Sequence, residues 1–262
     1  MHLIPSLLPF MILSNYLILR GTLFTHVKPR IYCLLVGHLC GYPMGARTTG
    51  ELLRQNYLTQ QEAEQLMAGC NLPSPAFIIA FTMTETLHAP AFILPGLVLL
   101  YAANYAVYRM YGAWHKLPPH AATGKVPQPR LRSRIQSLDQ AIVDGFATMN
   151  RICGYLILCS ILLAVLSKLF SLWGTGDPLF LSLIEMTNGV KLIAASSLPD
   201  SSRVTLALSC ISFGGLCTIA QIKGMLLGTS LSVKSCILFQ CIHAALTYIL
   251  CRLFFILIQF FI

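Results

Sequence analysis

The stretch GHLCGYPMGARTTGELL, Gly37 to Leu53, decides how this chain is read. It holds four glycines, a proline, an arginine and a glutamate, yet apolar sequence flanks it on both sides. A membrane helix needs about 20 mainly apolar residues. Glycine and proline weaken a helix and leave backbone groups without intrahelical partners. Such a segment at the position of a span implies a deliberately broken helix.

The rest of the chain supports a membrane setting. Hydrophobic residues make up 56% of it and charged residues 10%, against about 25% charged in a soluble domain. Mean hydropathy is +0.70. The net charge is +9, and five of the 18 basic residues fall between Lys116 and Arg134. That distribution suits a cytoplasmic loop beside a bilayer and excludes a nucleic-acid-binding patch. The ten cysteines form no C-x-x-C pair and mostly sit in apolar runs, where Cys acts as a small hydrophobe. No metal site or cofactor is expected. The first basic residue is Arg20, so no cleavable signal peptide is expected.

These features predict an all-α, polytopic membrane protein with about eight hydrophobic segments in two related halves. Residues 1–112 form the first half, 113–140 a basic polar linker and 141–262 the second half. The segments are Leu3 to Leu19, Ile31 to Leu53, Ala63 to Leu87, Ala89 to Tyr111, Gly145 to Phe170, Pro178 to Leu198, Val204 to Leu227 and Val233 to Ile262. An offset of 173 residues pairs Gly41 with Gly214, Leu53 with Leu226, Leu58 with Leu231 and Thr59 with Ser232. Each half then reads as a glycine-broken apolar segment, a short polar turn, and Leu-Thr or Leu-Ser opening a helix. Thr59-Gln60-Gln61-Glu62 has the S/T-x-x-E spacing of a capping box, and Ser232 is the equivalent cap.

Four interruptions carry the functional expectation: GYPMGA, NLPSP, EMTNGVK and FGG. In hydrocarbon every backbone N–H and C=O needs an internal partner, so non-helical backbone survives only inside protein or along a wet cavity. Transporters built from two repeats place broken-helix ends at the midplane to hold substrate and ions. The alternative is close helix packing at small residues. Polar and charged groups accompany the breaks, and an intramembrane ionisable residue is a functional-site hypothesis. The candidate substrate-binding residues are Gly41, Pro43, Gly45, Arg47, Asn71, Ser74, Glu185, Thr187, Asn188, Lys191, Gly214, Gly215 and Gln221. Arg47 either faces a cavity or pairs with Glu51 four residues on; Glu51 could equally pair with Arg54.

Enzyme signatures are missing: there is no H-E-x-x-H, G-x-S-x-G or P-loop. Gly174 to Asp177 spells the G-x-G-D of intramembrane aspartyl proteases. The other aspartates sit at segment edges, away from the shared-proton geometry such enzymes need. The chain is therefore expected not to be an enzyme.

PSLLPF (Pro5 to Phe10), GYPMGAR (Gly41 to Arg47), LTQQEAEQL (Leu58 to Leu66), CNLPSPAFI (Cys70 to Ile78), EMTNGVK (Glu185 to Lys191) and FGG with Gln221 run in one order along the chain. On these motifs it resembles the YlbJ-like sporulation integral membrane proteins, which carry the nucleoside-recognition Gate domain. The resemblance implies an integral membrane protein, of the cell or forespore membrane, needed for spore maturation. It also implies transport of a small dipicolinate-like anion. The Gate domain's presence in nucleoside and ferrous-iron transporters keeps those cargoes open, as it does a non-transporting structural role. Arg47 stands where the family has Lys, and Lys223 where a small residue is expected. Members carry another helix before the PSLLPF equivalent, so a chain opening almost at Pro5 is expected to be a shortened copy. The expected partners are the lipid bilayer and a small anionic substrate, with homo-oligomerisation left open.

Overall fold

A computed structural model describes residues 3–20, 27–115, 134–172 and 183–261. Residues 116–133 of the basic linker and the G-x-G-D turn at 174–177 lie outside the described residues. The described chain contains ten α-helices and no strand. They are α1 (Leu3–Arg20), α2 (Pro29–Cys40), α3 (Met44–Arg54), α4 (Gln60–Gly69), α5 (Ile93–Trp114), α6 (Arg134–Leu172), α7 (Met186–Ala194), α8 (Asp200–Phe213), α9 (Gly215–Met225) and α10 (Val233–Phe261). A π-helical segment, Phe77–Thr86, lies between α4 and α5. The all-α membrane architecture expected from composition is the one observed.

Four segments among the described residues are long and apolar enough to cross a bilayer: Pro90–Trp114, Arg134–Leu169, Asp200–Met225 and Val233–Gln259. Met11–Arg20 and Phe77–Thr86 are shorter apolar helices. The eight hydrophobic segments of the sequence are thus not eight crossings of one kind. Burial separates the four long ones. In Asp200–Met225, which is α8 and α9 joined at Gly214, 72% of the apolar window is buried. The figure is 28% for Pro90–Trp114 and 17% for each of the other two. The broken span therefore forms the centre of the bundle. The unbroken spans surround it and turn residues such as Leu94, Leu158, Ile161 and Leu257 outward, as a lipid-facing surface requires.

The opening stretch is broken at a glycine, as that central span is. α2 and α3 are separated by a short break at Gly41, Tyr42 and Pro43, as α8 and α9 are at Gly214. Gly41 has φ 71° and Gly214 φ 80°, left-handed backbone that a side chain would strain. An 11-residue helix follows each break, then a turn, then a capped helix. At the first cap the Thr59 hydroxyl accepts from the Glu62 N–H at 3.3 Å, and Glu62 accepts from the Thr59 N–H at 2.9 Å. At the second, the Ser232 hydroxyl accepts from the Ser235 N–H at 3.3 Å. Both caps anticipated from spacing are formed. α1 packs on α6, α4 and α8 pack on α5 and α10 respectively, and α9 bridges α3, α6 and α10.

Close backbone approach fixes α2 and α3 against α4. A Cβ placed on Gly45 would lie 1.9 Å from the carbonyl oxygen of Cys70, and one on Gly37 would lie 2.5 Å from the same oxygen. α2 and α3 therefore clamp the C-terminal end of α4. Gly154, on the exposed side of α6, has nothing within 4 Å of such a Cβ. Gly45→Ala is expected to cost about 3 kcal/mol through overpacking, and Gly154→Ala to be neutral or slightly stabilising in a helix. Thermal unfolding of the two purified variants in detergent checks this; equal midpoints would disprove the Gly45–Cys70 clamp.

Candidate functional site

The four breaks meet in one seam. Break one donates to break two, the Tyr42 N–H reaching the Leu72 carbonyl at 3.0 Å. A Cβ on Gly41 would lie 2.5 Å from the Ser74 nitrogen, so the two loops are in backbone contact. Break one also reaches break four, because the buried Tyr42 hydroxyl donates to the Ile211 carbonyl. Gly214 lies against the same ring, its hypothetical Cβ 3.1 Å from the Tyr42 oxygen. Break four is tied to break three by Leu216 N–H to Leu183 O at 2.8 Å and Cys217 N–H to Ile184 O at 3.0 Å. Backbone groups left open at helix ends and breaks are here satisfied by groups from the other breaks.

The polar candidates divide by what they touch. Glu185 is 3% exposed and caps α7. Its carboxylate accepts from the backbone N–H of Thr187 (3.0 Å) and Asn188 (2.9 Å), and from their side chains at 2.5 Å and 2.9 Å. The EMTN motif is thus a self-contained N-terminal cap, with the negative charge at the positive end of the helix. Ser74 opens the π-helical segment by accepting from the Phe77 N–H at 3.3 Å. The Asn71 amide donates to the Met67 carbonyl at 2.9 Å, and its buried carbonyl oxygen has no hydrogen-bond partner. Gln221 donates to the Cys217 sulfur at 3.4 Å. Pro43 is the residue immediately before α3.

The cations lie beside the seam. Glu51 pairs with Arg54 at 2.9 Å and accepts from Gln55 at 2.8 Å. Arg47 instead donates to the Asn15 side chain on α1 and to the Asp144 carbonyl on α6 at 3.5 Å. Lys191 is exposed, with its ammonium 6.0 Å from the centre of the Phe81 ring. The structure therefore brings together Gly41, Asn71, Ser74, Glu185, Gly214 and Gly215, and turns Arg47 and Lys191 toward neighbouring helices. Among the described residues no three His, Cys, Asp or Glu side chains are grouped to hold a metal ion.

A further polar group was not marked out by the breaks. Cys236, Gln240, His243 and Thr247 lie along one buried face of α10, each at most 2% exposed. Cys236 lies 4.0 Å from the Asn71 amide nitrogen, His243 Nε2 lies 3.1 Å from the Leu100 carbonyl, and Thr247 bonds Ser212 at 3.0 Å. Both amide atoms of Gln240 and Nδ1 of His243 are buried without a hydrogen-bond partner. Their spacing of 3 or 4 residues within the most apolar segment was a readable signal of a polar face turned into the bundle.

The sporulation integral membrane protein YlbJ of Bacillus subtilis (strain 168) is similar to this chain. The two are 26% identical over an alignment covering 88% of this chain and 68% of that protein. No family model matches the chain, and no solved structure matches it. The similarity thus extends over most of the sequence that holds the six motifs, and it agrees with the four long apolar helices in making the chain an integral membrane protein.

Glu185 and Gln240 are both buried, one fully bonded and one unbonded, and removing them should act in opposite directions. Glu185→Ala is expected to destabilise the protein by about 3 kcal/mol, because it strips several donors of their acceptor. Gln240→Leu is expected to stabilise it by about 1 kcal/mol, because an unpaired buried amide is removed. Melting midpoints in one detergent measure both; the same sign for the two would refute this division.

Proposed function

We propose that this YlbJ-like protein moves a small anionic metabolite, of the dipicolinate class, across a membrane during spore maturation. The observation that carries the reading is the meeting of three helix breaks with a fourth, at Gly214, that lies inside the most buried span. Broken helices that face each other near the midplane are the usual construction of a substrate site in transporters. α3 and α9 both begin at this seam, and a helix N-terminus carries about half a positive charge. Arg47 lies one turn into α3, and Lys191 lies in α7, so both are within a helical turn or two of a break. Rotation of either side chain toward the seam would bring a full positive charge to an anion. The name of the Bacillus subtilis relative supports a sporulation setting. Nucleosides or inorganic ions would use the same seam with fewer cationic contacts.

One observation favours a second reading, in which the chain is a non-transporting structural protein of the spore membrane. The breaks are closed on each other, and Cys70 beneath them is 0% exposed. Transport requires this seam to open, whereas a packing role requires it to stay shut.

Uptake of radiolabelled dipicolinate into proteoliposomes tests the proposal. The wild type is expected to show saturable uptake above empty vesicles, and Arg47→Ala and Lys191→Ala to lower it by roughly tenfold each. Absence of uptake by the wild type overturns the transport reading, and unchanged uptake by both variants overturns the cation assignment. A single-cysteine protein retaining Cys70 is expected to react with a membrane-impermeant thiol reagent during turnover; inertness in every condition would favour the structural role.

A further inference from the structure

A second polar feature lies away from the seam, where α5 ends and α10 begins. A cavity of about 330 Å³ opens there between the two helices, with α4 behind it. Its mouth is formed by Glu64, Tyr111, Trp114, His115, Ser235 and Phe239. Below the mouth, Val107 and Ile242 continue the lining toward the middle of the two spans. Polar and aromatic groups at the helix ends above an apolar floor match an amphiphile standing along the membrane normal.

The chemistry of the mouth selects a cation. Glu64 accepts from the Tyr111 hydroxyl at 2.7 Å and from the Gln60 amide at 2.7 Å. These bonds hold the carboxylate without neutralising it. The ion pairs among the described residues are Arg30 with Glu62, Arg54 with Glu51 and Arg203 with Asp200, and none includes Glu64. Around it the rings are organised: Tyr111 stacks on His115 at 4.2 Å and 12°, and meets Phe239 edge-on at 5.2 Å and 89°. Trp114 is 83% exposed and so within reach of lipid. A carboxylate among aromatic rings attracts an organic cation through charge and through the ring quadrupoles. An ammonium with free N–H donors suits it best, since Glu64 and the Ser235 hydroxyl both accept hydrogen bonds. We infer that this groove binds the primary ammonium head group of a phosphatidylethanolamine-class lipid, with an acyl chain along the Val107 and Ile242 floor.

Trp114 makes the inference measurable. The chain has two tryptophans, so Trp173→Phe leaves Trp114 as the single fluorophore. The full-length protein in nanodiscs is titrated with phosphatidylethanolamine brominated near its head group, and in parallel with brominated phosphatidylglycerol. Quenching of Trp114 is expected at roughly threefold lower mole fraction of the ethanolamine lipid. Glu64→Gln is expected to remove that preference, and Phe239→Leu to weaken it without touching the carboxylate. Equal quenching by the two lipids overturns the inference, as does a preference that survives Glu64→Gln. If millimolar ethanolamine changes Trp114 fluorescence while the two brominated lipids quench it equally, the groove takes a free amine and the lipid assignment is wrong.

Discussion

Every helix that stops inside a membrane leaves N–H groups at one end and C=O groups at the other, with no water to receive them. The centre of this protein is organised by that requirement. Tyr42 N–H finds Leu72 O, the Tyr42 hydroxyl finds Ile211 O, and the first N–H groups of α9 find the carbonyls of Leu183 and Ile184. Removing any one break would orphan the groups of its neighbour. The breaks are therefore mutually dependent, and the short helices α2, α3, α8 and α9 are positioned by loops as much as by side-chain packing. Tyr42 is the hinge of the set, since its backbone serves one half of the chain and its hydroxyl the other.

The same requirement accounts for several of the charges found in or beside apolar sequence. Glu185 sits at the N-terminus of α7 and Glu62 in the capping box of α4, where negative charge opposes the positive helix end. At the C-terminal end of α9 the signs reverse. Arg151 donates to Gly224 O at 2.8 Å, and Arg54 donates to Met225 O and Leu227 O, each at 2.8 Å. Two arginines from α3 and α6 thus close the carbonyl end of a helix whose amide end is closed by break three. Arg30 works similarly across helices, reaching Gln65 at 2.5 Å and the Tyr108 hydroxyl at 3.1 Å. An ionisable residue in an apolar run is a strong sign of function in an unbroken span, and a weaker one where helices end inside the protein.

That distinction marks what was legible in the sequence. The all-α membrane class followed from composition, and the capping boxes from spacing, because both depend on local chemistry alone. Three of the breaks were visible as Gly41, Asn71 and Gly214, because few residues tolerate a helix end at depth, whereas EMTNGVK, expected as an interruption, runs from its cap at Glu185 into α7. Which side chains point into the seam was not visible. Thr187 and Asn188 read as ligand donors, yet both are taken up by Glu185 two and three residues before them. Arg47 and Glu51 have the spacing of a helical pair, yet Arg54 on the next turn takes Glu51 and Asn15 takes Arg47. Each outcome was set by a competing partner, and long-range competitors such as Asn15 leave no trace in local spacing. The polar face of α10 escaped notice for a different reason: nothing interrupts that helix, and its polar residues show only as periodicity.

Buried polar atoms without partners occur on that face and at the end of α4. Gln240 lies one turn along α10 from Cys236, whose sulfur is 4.0 Å from the Asn71 amide nitrogen, and the Asn71 oxygen and the Gln240 amide are both unpaired. Buried polar atoms without partners raise the energy of the conformation that contains them. α4 carries Cys70 and Asn71 at its end, and Cys70 is the residue clamped by Gly37 and Gly45. α4 is therefore joined directly to break one and, through Tyr42, to break four. The seam is thus closed by backbone hydrogen bonds between the breaks and by the packing of Gly37 and Gly45 on Cys70.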